Sequence, residues 1–150
     1  MKPLIVLIAV FATGTLLSYV ITGNFHHIFN GNLAMGLMFC FTALGHFKFR
    51  KGMAMMLPPA IPFRGAAVLV SGLAEIGLGI ALIFPQTRLV AAVALMAMLL
   101  VMLPANIYAA MNHVNYEKGT FDGPGPSYLW FRIPMQAFLF AWILYFSILR

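Results

Sequence analysis

The sequence predicts an all-α membrane protein, with five transmembrane helices forming one domain over residues 1–150. Three observations predict it. Only 8% of the 150 residues are charged and 63% are hydrophobic, against about 25% charged in an ordinary soluble domain. So few charges cannot cover a water-facing surface, and the apolar content is too high for a disordered chain. The apolar residues also come in long uncharged runs, with no charge between Lys2 and Lys48. Finally, the runs are continuous rather than alternating, so they lack the period of a membrane barrel. In lipid every backbone amide must be satisfied within the fold, which leaves helices.

The spans are expected at about residues 4–22, 32–48, 64–84, 88–111 and 128–149. A hydrocarbon core takes roughly 20 apolar residues per helix. The first two spans are split by a polar turn running from Thr22-Gly23-Asn24 to Asn30-Gly31-Asn32, which leaves the second one short. Pro58, Pro59 and Pro62 punctuate the chain before the third span, Pro85 before the fourth, and Gly123-Pro124-Gly125-Pro126 before the fifth. The first run has the charged start and apolar core of a signal peptide. It has no clean small-x-small cleavage site before Asn24, so it is expected to be retained as a span.

The net charge of +6 reads as a topology device. With five spans, the end holding the N-terminus collects Lys2, Lys48, Arg50, Lys51, Arg64, Lys118 and Arg132, and the other end only Arg88 and Arg150. Positive residues stay inside, so the N-terminus is expected in the cytoplasm and the C-terminus outside. The cations would also meet anionic lipid heads. No nucleic-acid motif accompanies them. Tyr128, Trp130 and Phe131 look like an aromatic belt at the start of the fifth span. The lone Cys40 excludes an intrachain disulfide and a C-x-x-C redox pair.

Glu75 is the sharpest signal. It lies about eleven residues into the third span, or roughly 16 Å deep at 1.5 Å per residue, near the midplane. An acid there costs at least ~2.5 kcal/mol on insertion scales, so it should face the bundle interior with a partner or be protonated. Ala67, Ser71, Glu75 and Gly79 form an i, i+4 stripe that would pack on a neighbour. The same arithmetic puts Ser71 about 10 Å deep, Thr42 about 9 Å, Asn106 about 7 Å, and His46 about 3 Å. Arg132 falls at about 6 Å and Gln136 at about 12 Å, sharing one face at i, i+4. Four spans thus bring polar groups into one layer. The expectation is an inward-opening cavity lined by His46, Ser71, Asn106, Arg132 and Gln136, with Glu75 as its floor. Pro104 would kink the fourth span and free a carbonyl.

Other chemistries find little support. His26 and His27 are adjacent and make a poor chelate, and His46 with His113 is a weak haem pair. There is no zinc spacing, phosphate loop or serine-nucleophile elbow.

Gly45-His46-Phe47, Pro58 with Pro62-x-Arg64, Ser71-Gly72-x-x-Glu75-Ile76, Arg88, Pro104-Ala105-Asn106-Ile107-Tyr108 and Leu129-Trp130-x-Arg132-x-Pro134-x-Gln136 together resemble the DoxX family of small bacterial membrane proteins. The resemblance implies a four-helix membrane bundle in the bacterial inner membrane, to which the first span here is an added helix. It also implies a loose link to membrane redox complexes, since the founding name belongs to a thiosulfate:quinone oxidoreductase subunit. The leading functional expectation is a cavity for a small lipophilic or quinone-like molecule, within a redox complex whose electrons come from a partner. Glu75 would accept a proton or hydrogen bond, and Arg132, Gln136 and Asn106 would hold a carbonyl or anionic head. The alternatives are a non-enzymatic scaffold or chaperone, and a small transporter or proton pathway using Glu75. Membrane lipids and either a membrane protein or further copies of the chain are the expected partners.

Overall fold

The computed structural model describes residues 2–150. Five helices are long and apolar enough to cross a membrane, and the described residues contain no strand. They are α1 (Lys2–Thr22), α2 (His27–Lys48), α4 (Arg64–Ala81), α5 (Pro85–Met111) and the segment Gly125–Leu149, whose central part is α6 (Leu129–Ile143); a short α3 (Arg50–Met55) lies in the link between α2 and α4. A 3-10 turn over Gly125–Tyr128 leads into α6, which ends in a wider π-helical turn over Leu144–Leu149.

Two boundaries differ from the sequence expectation for identifiable reasons. Helix α2 begins at His27, so Asn30-Gly31-Asn32 lies in its first turns rather than in a loop. The turn is confined to residues 23–26, with Gly23 at φ 72° and His26 at φ 40°. Pro85 opens α5 instead of separating two spans, because a first-turn proline has no intrahelical N–H to lose. The second span is therefore 22 residues long and is not short.

The polar residues of that first turn join helices. The Asn32 side chain, fully buried, donates to the carbonyls of Ile28 and Phe146, both at 2.8 Å, and accepts from the Ser147 hydroxyl at 2.7 Å. Phe146 O belongs to the last turn of the chain, where carbonyls lack helical partners. Asn30 donates to the Ser18 hydroxyl at 3.0 Å and to Phe25 O at 2.9 Å, tying α1 to α2. The Trp142 indole donates to Gly31 O at 3.0 Å. A side chain at Gly31 would run into the Phe146 ring, which explains the glycine between two asparagines. Phe11 of α1 packs edge-on against Trp142, with ring centroids 5.1 Å apart. Asn32→Leu is expected to lower thermal stability in detergent, because Phe146 O and the Ser147 hydroxyl, both in buried residues, lose their partner. Unchanged melting would count against this end of the bundle being held by Asn32.

At the opposite end the Lys2 ammonium meets the Glu117 carboxylate at 3.1 Å, so the start of α1 and the α5–α6 connector share one face. Phe49 and Tyr116 bring the α2–α4 link to the same face, with ring centroids 5.9 Å apart. A Cβ at Gly52 would clash with the backbone of Tyr116, so the two connectors touch main chain to main chain. The cations therefore segregate as the sequence predicts, with Arg88 and Arg150 at the other end.

Candidate functional site

Helices α2 and α4 form the tightest pair in the bundle, and glycines permit it. A Cβ at Gly36 would strike the carbonyl of Gly79, and one at Gly79 would lie 2.9 Å from Gly36 O. A Cβ at Gly72 would lie 2.6 Å from the His46 Cβ. The buried stripe of α4 is Val68, Gly72, Glu75 and Gly79. Ala67, expected in that stripe, is exposed, and Ser71 is half-buried at its edge. The real stripe alternates four- and three-residue steps, which follows the 3.6-residue turn more closely than a strict i, i+4 row.

Glu75 faces this seam and is 5% exposed. Its Oε2 accepts from the Thr42 hydroxyl at 3.1 Å, and its Oε1 lies 3.5 Å from His46 Nε2, an ion-pair distance. On the other side of the ring, His46 Nδ1 lies 2.9 Å from Val68 O and 2.9 Å from the Ser71 hydroxyl, which itself donates to Val68 O at 2.9 Å. The ring thus bridges the two helices, with Nε2 turned to the Glu75 carboxyl and Nδ1 to Val68 O and the Ser71 hydroxyl. His46 is buried between the two helices. His113, the other half of the weak haem pair, is exposed in the connector with its ring against Gly125, so the two do not face each other.

The other three expected site residues lie elsewhere. Asn106 is buried but donates to Met102 O at 2.9 Å, one turn back on its own helix. Gln136 is buried on α6 and donates through Nε2 to Leu99 O of α5. Arg132 is half-buried with its Nε unpartnered. It lies close to the connector: burial pushes the Tyr116 hydroxyl up, Glu117 adds to this, and the Arg132 guanidinium opposes it. The six residues expected to line one cavity are therefore divided between two seams. His46, Ser71 and Glu75 occupy the α2–α4 seam, while Asn106, Arg132 and Gln136 belong to α5 and α6. Equal depth gives equal height in the membrane and leaves the direction around each helix axis open. Thr42 shares the layer and proves to be a direct partner of Glu75.

Two cavities lie outside the Glu75 seam. One, of about 450 Å³, is at the cation-rich end, lined by Met55, Pro59, Ile61, Phe63 and Arg64 among others. The second, of about 350 Å³, is a groove between α5 and α6 with Gln136 in its wall. No group of three or more potential metal ligands occurs among the described residues.

Residues 35–147 match a family described as a domain of unknown function, DUF8561. The chain belongs to this family. The DUF8561 segment begins inside α2 and runs to the end of the bundle, so it contains the whole Thr42–His46–Ser71–Glu75 cluster and Gln136, whereas α1, Asn30 and Asn32 precede it. No curated protein matches the chain, and no solved structure does.

Proposed function

We propose that this DUF8561 member is a non-enzymatic multi-pass membrane scaffold whose intramembrane polar cluster locks α2 to α4. The observation that carries the reading is that both oxygens of Glu75 are engaged by α2. A quinone-like molecule ending on Glu75 would need that carboxylate free to meet it. A proton pathway through Glu75 would need an opening beyond it, where Gly36 and Gly79 bring the two backbones together. Neither a redox subunit nor a transporter finds that support.

The N-terminus is proposed to face the cytoplasm of a bacterial inner membrane. The gathering of Lys2, Lys48, Arg50, Lys51, Arg64, Lys118 and Arg132 at one end supports that orientation. Kinship with the DoxX family is proposed on the residues that carry the resemblance. The partner is proposed to be a membrane protein or a second copy, meeting the cation-rich end. There Phe63 and Trp130 are each 86% exposed, more than the other large apolar residues among those described. A photo-crosslinking amino acid at either position, in native membranes, is expected to give the same discrete protein adduct. That adduct should weaken in Glu75→Ala, which unlocks the seam, and persist in Gly77→Ala, whose Cβ meets nothing within 4 Å. Adducts to lipid alone would contradict a scaffold role.

A further inference from the structure

The groove between α5 and α6 is walled by Leu100, Leu103, Ile133, Ala137, Phe140 and Ala141, and Gln136 is its only polar side chain. At about 350 Å³ it is within the size of small-ligand sites, which run roughly 300–1,000 Å³. Gln136 is 7% exposed. Its amide orientation is fixed by chemistry: Leu99 O can only accept, so the Nε2 side must face it. That leaves Oε1 buried with no hydrogen-bond partner. The groove wall is therefore apolar apart from Gln136, whose Oε1 is an acceptor without a donor.

We propose that this groove is a binding site for a lipophilic alcohol or phenol, whose hydroxyl donates to Gln136 Oε1 while its hydrocarbon part fills the space between Leu100, Ile133 and Phe140. One of the two Gln136 Nε2 hydrogens is given to Leu99 O whereas Oε1 has no partner, so the unmet demand at Gln136 is for a donor rather than for a carbonyl. Phospholipid acyl chains can occupy the same groove but carry no hydrogen to give, so they leave Oε1 unsatisfied in a medium without water. A lipophilic ketone, ether or oxidised quinone fails for the same reason. The proposal goes beyond the scaffold reading and uses none of the α2–α4 seam.

The test uses the full-length protein in phosphatidylcholine nanodiscs with 4-nonylphenol and its methyl ether as probes. The ether has nearly the same shape and lacks the hydroxyl hydrogen. The phenol is expected to bind at least tenfold more tightly than the ether, read as the concentration that raises the melting temperature or changes the fluorescence of Trp142 on α6. Gln136→Met should abolish that preference. Ala137→Phe, which fills the groove from an exposed position and leaves the Gln136–Leu99 bond in place, should weaken both probes. Equal binding of phenol and ether to the wild type would overturn the proposal. So would undiminished phenol binding by Ala137→Phe, which remains informative if Gln136→Met does not fold.

Discussion

Glu75→Ala is expected to destabilise the protein by about 3–5 kcal/mol, the usual cost of breaking a buried ion pair from one side. The hydrogen bond from Thr42 is a minor part of this, since such bonds within membranes average only about 0.6 kcal/mol. The larger part is what the truncation leaves behind: a His46 ring facing an empty seam, with no partner for Nε2. Glu75→Gln should cost less, because the amide fills the same space, its oxygen still accepts from Thr42 and its N–H can donate to a neutral His46 ring. Unfolding in mixed micelles measures both. The order Ala worse than Gln distinguishes a polar lock from simple loss of volume. Equal losses in the two variants would mean that packing alone matters at this position.

Gly36→Leu should prevent the native pairing of α2 and α4 altogether. Any Cβ at Gly36 points at the main-chain carbonyl of Gly79, so no side-chain rotation relieves it and the helices must separate. Overpacking a well-filled core usually costs about 1–3 kcal/mol. The cost here is larger, because separation also pulls Thr42 and His46 away from Glu75. Gly77→Leu is the matched control: the same substitution on the same pair of helices, at a position facing open space. Folded yield should collapse for the first and hold for the second. Similar yields would show that the close approach of α2 and α4 is not required.

The helices were legible because lipid imposes a length and forbids charge, and both constraints are visible in one sequence. The start of α2 was not, because Asn30-Gly31-Asn32 has the composition of a turn. Its two asparagines serve instead to bond Ser18, Phe25, Phe146 and Ser147, and its glycine admits an aromatic ring. Those partners are up to 115 residues away, beyond any local pattern. For the candidate site, the depth of Glu75 and its inward direction followed from the cost of an exposed acid in hydrocarbon. Its partners did not. His46, Ser71, Asn106 and Gln136 all have expected depths in one half of the membrane, and only the glycines decide which helix comes near. Gly36, Gly72 and Gly79 were the available signal, since close approach needs small residues on both helices at matching heights.

A double-mutant cycle between His46→Leu and Glu75→Leu, read as unfolding free energy in one detergent, tests most directly whether these two residues hold α2 and α4 together. Each single variant strands one polar partner in the seam, and the double variant strands neither. The double is expected to be clearly more stable than the sum of the single losses, with a coupling of about 0.5–3 kcal/mol. Additive losses would mean that His46 and Glu75 do not interact and that the intramembrane lock between the two helices does not exist.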